Sequence, residues 1–342
     1  MRIAAYIRPR AMVEPTGVGK HMINMVRELS RLKGVDLCCF TGRPDLDRYG
    51  IPAETGLQDL PLHLMPFSCR TMELMWTFCG FPSVDRWLPQ VDWVYSPLEA
   101  CIPVRRAKLA VTSHCVNWFE PELPWYGSGN TRRARLRLRP VFRRIIDKAD
   151  IIFSVSEFLK SRLCVLFNAN PSKIIVVGNG AERPYYDAGA GSATRNYGKE
   201  DVAPYVVVIG PVQRRKGSDY VFAVADQLNI LDRSITIKMI CGRAVSREYE
   251  GELNRHPNVE LFPYVGLDKL PDILAGAKAL LFLSRYETFG IPAAEAMAAG
   301  VPVVVSSFAG LPEIVGDAGI VADATDPAGI AGIILRLFRD RQ

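Results

Sequence analysis

Two carboxylates flank a run of backbone amides in Glu287-Thr288-Phe289-Gly290-Ile291-Pro292-Ala293-Ala294-Glu295. Glutamates accept hydrogen bonds from hydroxyls, and the amides between them can hold an anion if a helix starts there. The flanking residues predict that it does. Ala279 to Leu283 is a short apolar run of the kind that forms a buried parallel strand. Pro292 suits the first helical turn, where its missing N–H costs nothing, and Gly300 suits the position just past the end. Glu287 then lies in the loop at the carboxyl end of a strand, and Glu295 lies about one turn into the helix. The free N–H groups of residues 288 to 291, with the positive helix end behind them, form an anion site. Two hydroxyl acceptors beside a phosphate cradle is the chemistry a nucleotide-sugar asks for.

A second constellation, Gly210-Pro211-Val212-Gln213-Arg214-Arg215-Lys216-Gly217, falls between a predicted strand and a predicted helix. A diphosphate leaving group gains charge as its bond to a sugar breaks, so fixed cations at such a loop lower the barrier. A third, Glu14-Pro15-Thr16-Gly17-Val18-Gly19-Lys20-His21, follows the first strand. It is not a P-loop, which would need Gly at position 14 and Ser or Thr at position 21. Gly17 and Gly19 suit a tight strand-to-helix turn. A fourth, Val111-Thr112-Ser113-His114-Cys115, ends an apolar strand, where a lone histidine is by default a hydrogen-bonded structural residue.

The elements that must position these residues alternate. Ile3–Ile7, Val35–Phe40, Trp93–Tyr95, Leu109–Thr112, Ile151–Ser154 and Ile174–Val177 read as strands, with helices over His21–Leu32 and Leu138–Ala149. After a stretch that holds Gly189, Gly191 and Gly198 and lacks sustained periodicity, a second alternation runs from the strand Tyr205–Ile209 to a helix over Ala328–Phe338. The expected architecture is α/β: two Rossmann-like, doubly wound domains facing a cleft. Residues 1–182 form the first domain, 183–203 a linker and 204–342 the second.

Composition sets outer bounds. The 342 residues, 49% hydrophobic and 23% charged, suit two folded domains and exclude a disordered chain. No run of eighteen apolar residues reads as a membrane span, and the start, Met1 to Arg8, is too short and too charged for a secretory signal. Cys38, Cys39, Cys69, Cys79, Cys101, Cys115, Cys164 and Cys241 show no C-x-x-C pairing and read as reduced, mostly buried thiols of a cytoplasmic protein. His21, His63, His114 and His256 do not cluster near cysteines, so no metal site is expected.

The net charge of +6 is local. Residues 101–150 carry eleven Lys or Arg against four Asp or Glu, and seven arginines fall between Arg132 and Arg144. Nucleic acid is not the expected partner, because aromatic interleaving and a recognition motif are missing. An anionic membrane surface fits Arg132, Arg133, Arg135 and Arg137 better, at about 1 kcal/mol of attraction per basic residue. A plainly solvated basic face is the competing reading. Met72–Phe81 reads either as an apolar contact for an acceptor or as ordinary core.

The block Tyr286-Glu287-Thr288-Phe289-Gly290-Ile291-Pro292-Ala293-Ala294-Glu295, continued by Gly300 and Pro302, resembles the signature of the retaining glycosyltransferases of family 4, which have the GT-B fold. The resemblance runs over most of the chain and is strongest from residue 205 onward. It implies that Glu287 holds hydroxyls of the donor sugar and Glu295 the ribose diol, with backbone amides of Thr288, Phe289, Gly290 and Ile291 on sugar and diphosphate. It also implies that Val265 lies beside the base, that Gly17 and Gly19 open the first helix near donor phosphate and acceptor, and that His114 reaches the donor sugar. Lys216 matches the family's phosphate lysine. Pro211 stands where relatives carry Arg, leaving Arg214 or Arg215 to supply the guanidinium, and Cys115 replaces an Asp.

By this resemblance the chain transfers a sugar from a nucleoside-diphosphate-sugar co-substrate to a hydroxyl of a glycan or lipid-linked acceptor, without cofactor or metal, as in lipopolysaccharide and other polysaccharide biosynthesis. It would work in the cytoplasm, at the inner face of the membrane. The catalytic residues would be Glu287, His114 and Lys216. Relatives usually continue into a further helix that crosses back to the first domain, whereas this sequence stops at Gln342. Rival readings are an epimerase or phosphorylase on the same architecture and a non-catalytic nucleotide-sugar sensor. A dehydrogenase fits worst, since no G-x-G-x-x-G follows a strand.

Overall fold

The computed structural model describes residues 1–13, 15–194, 204–241, 245–262, 265–266 and 268–339; Glu14 of the third motif and residues 195–203 of the expected linker lie outside them. The chain divides into two compact units, Met1–Gly178 and Asn179–Gln342. The first holds seven strands: β1 (Arg2–Tyr6), β2 (Asp36–Gly42), β3 (Leu62–Met65), β4 (Trp93–Ser96), β5 (Lys108–Ser113), β6 (Ile151–Ser154) and β7 (Ile174–Val176). The second holds six: β8 (Tyr205–Ile209), β9 (Thr236–Ile240), β10 (Val259–Phe262), β11 (Ala279–Phe282), β12 (Val303–Ser306) and β13 (Ile320–Ala322).

Each set forms one parallel sheet, in the orders β3-β2-β1-β4-β5-β6-β7 and β10-β9-β8-β11-β12-β13. Both orders reverse once, between β1 and β4 and between β8 and β11. Loops leaving the carboxyl ends of such a strand pair diverge and open a crevice for ligand. The apolar runs of the second unit follow from burial on both faces. Val206 and Val208 point into one core cluster with Leu281 and Val304, while Tyr205 and Val207 point into another with Leu280 and Phe282.

Three departures from the sequence reading have local causes. The basic stretch does not merely lead into a helix; it is the helix, Gly129–Lys148, starting where Ser128 Oγ accepts from the Thr131 amide at 3.3 Å. The segment read as the start of a linker is the helix Arg183–Thr194, packed on helices Leu270–Ala275 and Ile291–Ala298. Gly189, which suggested a linker, permits that packing: a Cβ there would sit 2.8 Å from the Ala299 backbone. β3 was also missed, because Leu62–Met65 is short and follows Pro61.

Candidate active site

The loops leaving β8 and β11 carry the candidate residues of the second unit, and backbone packing holds them together. The β8 loop turns at Gly210, passes through a short 3-10 turn at Arg214–Lys216 and ends at Gly217, whose φ is +71°. A Cβ at Gly217 would collide with the Leu283 carbonyl just past β11. This close approach sets the cations of one loop against Glu287 of the other.

Lys216 Nζ donates to Glu287 Oε1 at 2.5 Å, the Ser284 hydroxyl reaches the same oxygen at 2.8 Å, and Arg215 Nη1 stands 3.7 Å from it. The Glu287 and Lys216 side chains are only 14% and 17% exposed, so water screens the pair little. Desolvation alone would raise the Glu287 pKa. The charges of Lys216 and Arg215, with hydrogen bonds from Lys216 and Ser284, outweigh it and hold the carboxyl below its ordinary range. Glu287 is therefore ionised at neutral pH, an acceptor and not an acid. Among the described residues, its hydrogen-bond and ion-pair partners all meet Oε1, which leaves Oε2 to accept from ligand hydroxyls.

The helix after this loop, Ile291–Ala298, starts at Gly290 with φ +93° and has Pro292 in its first turn. Gly310 N donates to the Glu287 carbonyl at 2.9 Å and fixes the loop. Thr288 is buried, and the amides of Phe289, Gly290 and Ile291 have no hydrogen-bond partner among the described residues. Three amides thus follow Glu287 along one loop, while two cations meet that glutamate from the other.

Other expected residues are differently placed. Of the two arginines, Arg215 is the one beside Glu287; exposed Arg214 lines a separate acidic hollow with Asp226, Glu248 and Glu252. Glu295 is buried and accepts a hydrogen bond from Tyr185, whose hydroxyl pKa burial and that carboxylate push far up. Tyr185 lies in the segment taken for a linker and gave no sequence signal. Val265 is partly buried against the core that contains Leu270 and Leu274.

In the first unit, Gly17 opens the helix Gly17–Arg31, and Gly19 lies in its first turn, where a Cβ would collide with the Ala11 carbonyl. Packing alone therefore requires Gly19. His114 follows β5, is buried, and donates from Nε2 to the Pro97 carbonyl at 2.8 Å, since a carbonyl only accepts. The His21 ring packs edge-on against it, centroids 4.7 Å apart. The Cys115 thiol donates to Asn117 Oδ1 at 3.3 Å. His114 is thus tied down by Nε2 within its own unit.

The family profile described as Glycosyltransferase Family 4 matches residues 15–183, and that described as Glycosyl transferases group 1 matches residues 203–340. The chain belongs to the GT-B glycosyltransferases. This glycosyltransferase is 26% identical to the O-antigen chain mannosyltransferase B of Escherichia coli over 344 residues, 95% of this chain and 87% of that protein. It is 30% identical to a D-inositol 3-phosphate glycosyltransferase of Acidothermus cellulolyticus over 217 residues, 57% of this chain and 48% of that one.

Among solved structures, HepE of Anabaena in complex with UDP-glucose superposes with a TM-score of 0.67 at 16% identity, covering 99% of this chain and 90% of that one. WaaG, a glycosyltransferase involved in lipopolysaccharide biosynthesis, gives 0.66 at 16% identity over 97% and 90%. At such identities these structures share the fold. Neither family match favours the epimerase, phosphorylase, sensor or dehydrogenase readings.

Proposed function

We propose that this glycosyltransferase moves a sugar from a nucleoside-diphosphate donor, held by residues 204–342, to a hydroxyl of a glycan or lipid-linked acceptor, held by residues 1–182. The observation that carries this reading is the largely buried Lys216–Glu287 pair beside the amides of Phe289, Gly290 and Ile291, which have no hydrogen-bond partner among the described residues. Lys216 has three donors and gives one to Glu287, so it can hold phosphate without leaving the glutamate. Glu287 Oε2 accepts from donor-sugar hydroxyls.

As the sugar–phosphate bond breaks, Lys216, Arg215 and the helix-end amides stabilise the charge growing on the diphosphate, in the place a metal would otherwise take. Arg215 supplies the guanidinium that Pro211 does not. The acceptor hydroxyl attacks from the face the phosphate leaves and passes its proton to the departing phosphate oxygen; configuration is retained and no side chain acts as nucleophile. Ribose hydroxyls share Glu295 with Tyr185. The complex of HepE with UDP-glucose supports a donor of this class.

A thermal-shift screen against nucleotide-sugars tests the donor site. A ligand at a hundred times its Kd adds about 2.7 kcal/mol of stability. We expect one donor to stabilise the wild type and to leave Lys216→Ala unmoved. No response of the wild type to any nucleotide-sugar would overturn the reading.

The acceptor side rests on the similarity to the O-antigen mannosyltransferase and on the surface of the first unit. No helix among the described residues is long and apolar enough to cross a membrane. Arg132, Arg133 and Arg137 are exposed on the helix Gly129–Lys148, while Arg135 packs over the Tyr126 ring at 3.9 Å. The neighbouring helix Cys69–Phe78 divides the Met72–Phe81 stretch: Met72 and Trp76 are core, and Leu74, Phe78 and Phe81 are exposed. Exposed arginines and exposed aromatics on two contacting helices suit a lipid-borne acceptor at an anionic surface. Cosedimentation with phosphatidylglycerol vesicles should fall when Arg132, Arg133 and Arg137 are changed to Ser; unchanged binding would remove the surface from the scheme.

A further inference from the structure

The donor site as read above depends on where the backbone of Arg214–Lys216 lies, and one side chain holds that backbone from behind. Arg285 donates from Nη1 to the Arg214 carbonyl at 2.7 Å, and its own amide donates to the Arg215 carbonyl at 2.9 Å. The same guanidinium grips Asp219, in the first turn of the helix Ser218–Leu231, with Nη1 and Nη2 each 2.5 Å from a carboxylate oxygen. It lies over the Tyr220 ring at 3.9 Å, and Tyr220 stacks on Phe308. The Ser284 hydroxyl, within 2.8 Å of Glu287 Oε1, is also 3.1 Å from the Arg215 carbonyl.

With both carbonyls turned toward Ser284 and Arg285, the Arg215 and Lys216 side chains are carried to Glu287. The Arg285 side chain is only 12% exposed, and a fork-to-fork pair fixes orientation as well as distance. Asp219 is held below its ordinary pKa: desolvation would raise it, but the Arg285 hydrogen bonds and charge prevail.

We infer that Arg285, locked by Asp219 and Tyr220, is a positioning residue that sets the phosphate-binding loop for the donor. It touches no reacting atom. Its effect passes through the backbone of Arg214 and Arg215, so it should be felt by ligands that carry phosphate and not by the nucleoside alone. The inference rests on the proposed donor site.

The test uses the full chain and whichever of UDP, GDP, ADP or CDP the wild type binds tightest, set against the matching nucleoside, by calorimetry. Arg285→Met, which keeps the apolar stem over Tyr220, should weaken the diphosphate about 10- to 100-fold and the nucleoside by less than about twofold. Arg285→Lys should recover part of the loss. Asp219→Asn, which keeps the shape and removes the charge, should fall between the two. Equal weakening of both ligands by Arg285→Met would mark a general structural role and overturn the inference, as would full diphosphate affinity. Lys216→Ala separates the two levels. If it binds the diphosphate normally, the donor-site reading fails; if it loses affinity while Arg285→Met keeps it, only the positioning role fails.

Discussion

Lys216 and Glu287 are 71 residues apart in the chain and 2.5 Å apart in the fold. They meet because β8 and β11 are neighbours where the second sheet reverses its order, and because Gly217 lets one loop lie on the end of the other strand. The pair is both part of the proposed donor site and part of what holds two loops together, so its substitutions should be read in stability as well as in activity.

Glu287→Gln leaves Lys216 largely buried beside a neutral amide. We expect a loss of about 3 kcal/mol near neutral pH, from urea unfolding. The Glu287 pKa is lower in the folded state than its ordinary value of 4.5, so its contribution is full above that pH and is lost as pH falls through the lowered folded value. The stability gap between wild type and Glu287→Gln should be level from about pH 5 to 8 and close below about pH 4. A gap that widened in acid would contradict the ion pair.

Gly217→Ala adds a Cβ against the Leu283 carbonyl at a position with φ +71°. Neither atom can yield without moving backbone. We expect a destabilisation of more than about 2 kcal/mol and a parallel loss of donor affinity, while Gly251→Ala, where a Cβ meets open space, should cost far less. Equal melting temperatures for the two variants would show that the loops are not stitched at this point.

Tyr185→Phe removes the hydroxyl that donates to Glu295 and leaves a buried carboxylate with one donor fewer. The expected cost is about 1–3 kcal/mol. Unchanged stability would mean that the helix Arg183–Thr194 is not anchored through this contact.

Much of this was legible before the structure. Apolar runs marked the strands because both faces of each sheet are covered, and Pro292 with Gly300 bracketed a helix of which Glu295 is a member. What could not be read were contacts that join distant loops. Nothing in Arg214-Arg215-Lys216 says which cation meets Glu287; that follows from the turn at Gly217 and from carbonyls held by Arg285. Arg285 gave no signal in the sequence because its partner Asp219 lies 66 residues away. Gly189 misled for the opposite reason, since a glycine needed for close helix packing has the same letter as one in a linker.

Steady-state transfer from the donor found by the thermal screen, comparing wild type with Glu287→Gln and with the melting temperature of each recorded, bears most directly on the proposed site. An acceptor made only of a neutral amide holds the donor sugar poorly as charge develops at its reacting carbon. We expect kcat/KM to drop by about 100-fold or more at a temperature where both proteins are folded. Wild-type turnover by folded Glu287→Gln would contradict the assignment of this loop as the donor site.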